Sequence, residues 1–400
     1  MKTLTLAWIY LWSRPLAAAL NLLLLSLGLA SITFLILVSH QLDKAFERDL
    51  QGIDLVVGAK GSPMQLILSG VFHIDVPPGN VPLKAVLELQ KHPLVAQVIP
   101  LSLGDSFQGF RIVGSSHDYI AHYRAQLAQG QLWTQPMQVV LGAISARKSG
   151  MAVGQTFVGS HGLAAGGHAH GENFYTVVGI LAPSGSVLDR LILTDSASVW
   201  QVHEERGKAE EEGKEHLLEQ REVTLALLRY KTPLAAMSFP RYINSQTGMQ
   251  AAAPALEITR LLSMLGLGTD VLRAFAGVLL LTAGLSVFIA LWSAVRERRG
   301  DLALLRMLGA PPIKLAALLL LEALWLGLLA AALGLLGGQG MAAALGWLLR
   351  LDNSLLVGGM VWPPTLWLVP AMALGVSALA ALLPALGAYR VSVLELLQGQ

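Results

Sequence analysis

Four unbroken apolar stretches set the plan of this chain. Residues 15–38 read PLAAALNLLLLSLGLASITFLILV and residues 271–294 read VLRAFAGVLLLTAGLSVFIALWSA. A third stretch begins near Leu315, LAALLLLEALWLGLLAAALGLLGG, and a fourth near Thr365, TLWLVPAMALGVSALAALLPA. Each supplies the roughly 20 residues a helix needs to cross a hydrocarbon core. Between the last two, Gly337 and Gly338, the run QGMAAALGWLLRLDNS and then WPP predict a broken helix and a short turn. Upstream of the first, TLTLAWIYLWSRP mixes Trp8, Tyr10 and Trp12 with Arg14, the pattern of a helix lying at the membrane interface. The first stretch outruns the 7–15-residue core of a signal peptide, and no small-residue cleavage site follows it. It is expected to remain as a span.

Residues 40–270 have a different rhythm. Short strand-like runs (VAQVIPLSL, FQGFRIVG, QVVLG, QTFVGS, FYTVVGIL, RLILT, VTLALLRY) alternate with turn signals, and helix-like pieces such as PLKAVLELQKHP and LAAMSFPRYINSQ lie between them. The expected fold is an α-helical membrane protein with four transmembrane helices and a large α+β extracytoplasmic domain between helices 1 and 2. The boundaries are 1–39 for the interfacial helix and first span, 40–270 for the domain, and 271–400 for spans 2–4. Within the domain, 203–222 is dense in charge and poor in apolar residues, as expected of a solvated helix or excursion.

Composition agrees. Of 400 residues, 54% are hydrophobic and 14% charged, and the mean hydropathy is +0.57; soluble domains carry about 25% charged residues. The net charge of +2 comes with no basic patch or nucleic-acid motif, so a nucleic-acid partner is not expected. The absence of cysteine excludes disulfides, thiolate metal sites and cysteine nucleophiles. Arg296, Arg298, Arg299, Arg306 and Lys314 crowd the loop after the second span, while Lys2, Arg14 and Arg390 lie near the termini. The positive-inside rule puts that loop and both termini in the cytoplasm, with the domain outside.

Candidate chemistry is sparse. The loop 295–314 reads as a helix end, a short amphipathic helix (Leu302, Leu305, Met307 and Leu308 with Arg306), a stop at Gly309, and Pro311–Pro312 opening the next span. It could transmit force from a soluble partner, or be an ordinary basic loop. Asn21, Arg273 and Glu322 are the main polar residues in or at the ends of spans, and Glu322 could pair within the bundle or line a substrate path. SHGLAAGGHAHGEN, 160–173, brings His161, His168 and His170 near Glu172; zinc or copper would bind only if the loop folds around the ion, and an insertion between two strands is the plain alternative. The stretch 56–80, VVGAKGSPMQLILSGVFHIDVPPGN, could be a phosphate-cradling loop or a turn leading into a surface helix. His117–Asp118, His203–Glu204 and Asp189 lack any catalytic motif around them, so the chain is not expected to be an enzyme.

RERRGDLALLRMLGA followed by LLLLEALWLG resembles the permease subunits of ABC systems of the macrolide-exporter, lipoprotein-releasing and division-associated (MacB/LolCDE/FtsX) type. LAWIYLWSRPLAAALNLLLLSLGLA is similar to that family's N-terminal helix and first span. VVLGAISARKSGMAVGQTFVGS and FYTVVGILAPSGSVLDRLILTDSASVW are similar to its extracytoplasmic domain, and LLPALGAYRVSVLELLQG to its C-terminal signature. The resemblance implies a bacterial inner-membrane protein that works as a homodimer or pseudo-dimer with two ABC ATPase subunits. It also implies mechanotransmission, with a periplasmic adaptor or substrate-binding protein as a further partner. By carry-over, 297–310 holds the coupling helix, with Glu297, Arg299, Asp301, Leu302, Leu304, Leu305, Met307, Leu308 and Gly309 at or near the ATPase. This chain has no G-x-x-x-x-G-K-[ST] stretch, so ATP and Mg belong to the partner subunit. The substrate (a lipoprotein, peptide, amphiphile or metal-linked species) stays open. So does the alternative of an FtsX-like signal transducer that drives an extracytoplasmic enzyme without transport.

Overall fold

The computed structural model describes residues 3–160, 169–204, 221–351 and 361–389. The chain divides into two compact units, Met1–Asp43 with Met264–Gln400, and Lys44–Ser263. It passes between them twice, each time inside a helix: Pro15–Leu50 and Pro254–Glu297. Both helices run well past the apolar stretches that mark them in the sequence, because polar segments such as QLDKAFERDL are also good helix formers.

Among the described residues of the first unit, four helices are long and apolar enough to cross a membrane. They are the leading part of Pro15–Leu50, the trailing part of Pro254–Glu297, Pro312–Leu351, and Leu368–Tyr389 after a 3-10 turn at Pro364–Trp367. The helix Thr3–Leu11 precedes them, and Arg299–Met307 sits between the second and third. Leu25, Leu29 and Leu37 meet Leu280, Ala283, Val287 and Leu291 in one core with Leu319, Ala323, Ala373 and Ala381.

The expected break at Gly337–Gly338 does not occur. Pro312–Leu351 runs through both glycines as one helix. Their role is close packing: a Cβ on Gly338 would overlap the Thr33 side chain and the Ala30 carbonyl, and one on Gly334 would overlap Leu29. Small residues let helix backbones approach in a membrane, where no hydrophobic force drives helices together. Gly327 meets Ser377 and Ala373 of the fourth span in the same way.

The second unit is built on a ten-stranded mixed sheet. Its strands are β1 (Leu55–Ala59), β3 (Val95–Phe107), β4 (Phe110–Gly114), β5 (Leu127–Gly130), β6 (Gln138–Leu141), β7 (Thr156–Ser160), β8 (Ala169–Leu181), β9 (Ile192–Thr194), β11 (Leu225–Tyr230) and β12 (Met249–Ala252). Two further short strands, β2 (Val81–Pro82) and β10 (Glu222–Val223), pair apart from it. The order is β12-β1-β11-β3-β4-β9-β6-β8-β5, with β7 bridging β3 and β8. β4–β9 and β6–β8 are parallel. The central strands are buried on both faces, hence their unbroken apolar runs. In β11, Leu225 and Leu227 face a core with Leu66, Ile67 and Tyr119, whereas Ala226 and Leu228 face one with Val86, Phe239 and Ile243.

The glycine-rich stretch 56–80 belongs to this packing. Gly58 of β1 lies so close to Leu66 that a Cβ would stand 2.7 Å from its side chain, and Gly70 is pressed equally tightly on Leu225. Ser62 caps the helix Pro63–Gly70, accepting from the Gln65 amide, and Gln65 Nε2 donates to the Val76 carbonyl at 2.9 Å. The turn-and-helix expectation therefore holds, except that the helix is substantially buried: Leu66, Ile67, Ser69 and Gly70 are all inside.

Just beyond it, His73 has φ +56 and is buried with its Nε2 2.9 Å from the Tyr119 hydroxyl. Burial, with the nearby Arg111 and Arg190 guanidiniums, holds this imidazole well below its ordinary pKa. A depressed histidine contributes stability that is present above the unfolded value near 6.5 and is lost as pH falls below it. His73→Asn, a residue that tolerates the left-handed backbone, should lower the unfolding midpoint at pH 7.5. It should also flatten its decline between pH 7 and 5, and an unchanged slope in thermal unfolding of the full chain would refute this role.

Candidate coupling site

The break between the second span and the short helix after it falls on one residue. Pro254–Glu297 ends, Arg299–Met307 begins, and Arg298 between them has left helical geometry. Its guanidinium is held from several sides. It donates to the Tyr10 carbonyl at 3.3 Å and to the Ser13 hydroxyl, and it lies 4.6 Å from the Tyr10 ring centroid. Its Nη1 also stands 3.9 Å from Glu322 Oε2, a charge contact longer than a hydrogen bond. The preceding residue, Glu297, pairs with Arg14. Trp8 packs edge-on against Trp325, ring centroids 5.2 Å apart. The helix Thr3–Leu11, the turn that leads into the first span, the end of the second and the third therefore meet at Arg298. Nearby, the Ser286 hydroxyl donates to Asn21 Oδ1 at 2.6 Å, joining the first two spans.

Glu322 accordingly pairs inside the bundle. The cavity beside it, lined also by Tyr10, Arg14, Asn21 and Arg298, holds about 40 Å³. That is the room of a few waters.

The short helix presents two faces. Leu302 is buried at 4% exposure and Leu305 packs half-buried against the same core. Leu302 therefore faces the bundle, while Leu305 keeps part of its surface open. A helix tethered at both ends beside a bundle turns one apolar row inward. Leu304, Met307 and Leu308 are 55%, 58% and 84% exposed, and Asp301 is exposed beside them. Of Arg299 only the backbone is described. Gly309, at φ +90, ends the segment in the left-handed geometry that glycine adopts without strain.

The other candidates fall apart from this site. His161 and His168 lie outside the described residues, and only the backbone of His170, in β8, is described. Ser160 of β7 pairs with Ala169 of β8. Among the described residues no three His, Asp or Glu side chains converge as metal ligands. Asp189 is buried and accepts from the Ser184 amide and hydroxyl and the Gly185 amide, so it shapes a turn. His117 Nε2 contacts the Trp133 carbonyl and Asp118 accepts from Ser116. The His203–Glu204 side chains and residues 205–220 are outside the described set.

A family model described as FtsX-like permease C-terminal matches residues 273–393, and one described as MacB-like periplasmic core domain matches residues 18–227. The chain belongs to the MacB/FtsX-type ABC permeases. The first match contains Arg298, the short helix and Glu322; the second contains the first span and most of the ten-stranded sheet of this permease. Two solved structures are similar to it. The periplasmic region of MacB from Actinobacillus actinomycetemcomitans is 14% identical, covers 54% of this chain and 95% of its own, and gives a TM-score of 0.35. The extracellular domain of the noncanonic ABC-type transporter YknZ from Gram-positive bacteria is 12% identical, covers 49% and 98%, and gives 0.31. No curated protein sequence matches the permease.

Sequence reasoning missed Arg298, Ser13 and Tyr10 as a unit. Arg14 and Arg298 read as topology charges, and nothing in a linear pattern pairs residues almost 300 positions apart. The available signal was the charge set Arg14, Glu297, Arg298 and Glu322 at the ends of apolar runs.

Proposed function

We propose that this permease transmits ATP-driven motion from a separate ABC ATPase subunit, bound on the cytoplasmic side, to its periplasmic-type domain, as half of a homodimer. Substrate is then handled at or beyond the outer leaflet, without an aqueous path through the spans. The observation that carries the reading is the short helix Arg299–Met307: an exposed apolar row, Leu304, Met307 and Leu308, on a segment anchored through Arg298. An apolar row rimmed by charge suits a hydrophobic groove on a partner, and a joint pinned to several helices passes a push at that row into the bundle.

The test is co-purification of the full chain with its co-expressed ABC ATPase subunit. Leu304→Asp with Leu308→Asp should cut the bound ATPase by about tenfold or more, since central apolar anchors contribute at least about 2 kcal/mol each. Membrane insertion and the unfolding midpoint should stay unchanged. Wild-type ATPase recovery from the double variant would exclude this surface.

A further inference from the structure

A second site lies at the opposite end of the spans, where the first span leads on toward the domain. A cavity of about 300 Å³ opens there among the first, second and fourth spans. One helical stripe of the first span lines it and changes character along its length. Ile32, Leu35 and Ile36 are apolar, and His40 and Asp43 are not. At 1.5 Å per residue, positions 32 to 43 extend about 16 Å, roughly half of a 30 Å hydrocarbon core. The groove is therefore about one leaflet long. The aromatic belt marks the same level: Thr365 and Leu368 form part of the wall, and Trp362 and Trp367, 65% and 79% exposed, lie just before and between them in the chain.

The polar mouth carries both signs of charge. Arg273, at the start of the second span, donates to Asp270 at 2.9 Å, which leaves most of its five N–H donors open. Asp43 is exposed and makes no hydrogen bond or ion pair among the described residues. A groove about one leaflet long, apolar at its deep end and topped by an open carboxylate and a guanidinium, is complementary to a zwitterionic amphiphile with a primary ammonium. We infer that the groove binds a phosphatidylethanolamine of the bilayer, with its ammonium on Asp43, its phosphate on Arg273 and His40, and the root of an acyl chain along Ile36, Leu35 and Ile32. A choline headgroup has no N–H to give Asp43. A phosphoglycerol headgroup brings no cation, so it leaves that carboxylate facing an anion. The site does not depend on the transport reading, because a lipid there would hold the spans together at rest as well as in motion.

The test offers the delipidated full chain, in detergent, equal amounts of dioleoyl phosphatidylethanolamine, phosphatidylcholine and phosphatidylglycerol, and reads bound lipid by native mass spectrometry. Phosphatidylethanolamine should be retained about tenfold over either competitor, the scale of one charge-assisted hydrogen bond. Asp43→Asn, a near-isosteric change at an exposed position, should remove its advantage over phosphatidylcholine. Arg273→Gln should weaken all three, and Ile36→Trp should exclude lipid by filling the slot. Equal retention of the three lipids would overturn the assignment. So would an ethanolamine preference that survives Asp43→Asn, or a lipidated polypeptide as the bound species.

Discussion

With Arg298 replaced by alanine, the permease should still hold its ATPase subunit but fail to pass motion on to the first and third spans. The substitution removes the hydrogen bonds to the Tyr10 carbonyl and the Ser13 hydroxyl, the stacking over Tyr10, and the charge opposite Glu322. Hydrogen bonds to charged groups contribute about 1.5–3 kcal/mol each. Side-chain exposures of 15% and 9% at Arg298 and Glu322 leave little solvent to make up the loss. The exposed row Leu304, Met307 and Leu308 is untouched, so docking should persist. Because the chain has no cysteine, single reporters can be placed without background. A spin label at exposed Leu16 on the first span and another at exposed Gly300 on the short helix, outside the docking row, should both respond when ATP and vanadate trap the wild-type complex. In Arg298→Ala only the label at 300 should respond. Lysine, which keeps the charge but not the forked donor geometry, should fall between. The double variant Arg298→Ala with Glu322→Gln should unfold at a higher temperature than Arg298→Ala alone, since it no longer strands a buried carboxylate. A wild-type response at position 16 in Arg298→Ala would refute the joint.

What the sequence made legible follows from the range of the interactions involved. Span positions were readable because about 20 apolar residues in a row admit few other structures. β6, β9 and β11 were readable because doubly buried strands are short apolar runs. β1 and β12 escaped notice: LVVGA contains a glycine that looks like a turn signal, and MQAA has too little side chain to stand out. Their partners, Val56 with Leu227 and Val57 with Ala251, are fixed only by long-range pairing. At the coupling site, amphipathicity located the short helix but did not say which row faces inward. Leu302 and Leu304 are equally apolar, and only packing against the bundle core shows that the first is buried and the second exposed.

Gly337 and Gly338 teach a related lesson, and they carry the other large expected effect. Two adjacent glycines predict a break when the alternative is solvent, because each costs the helix about 1 kcal/mol relative to alanine. Inside a bundle the same residues let a neighbouring backbone approach. Gly334 and Gly338, one turn apart, receive Leu29, Ala30 and Thr33 of the first span. Thr33 is fully buried there, its hydroxyl donating to the Leu29 carbonyl at 2.8 Å. Gly338→Leu would force the two helices apart along this seam, losing contacts above and below it. The cost should be about 3 kcal/mol or more, at the upper end for overpacking, and the unfolding midpoint of the full chain should fall by about 4 °C. Gly340, two residues on, has no atom within 4 Å of a Cβ position and lies on the exposed side. Gly340→Leu adds the same bulk to the same helix and should cost nothing, or gain up to about 1 kcal/mol from helix propensity. Equal losses in the two variants would mean that added bulk anywhere on the helix, rather than the seam, sets the cost. A large loss confined to position 338 would make this glycine stripe the contact that keeps the third span against the first while the bundle moves.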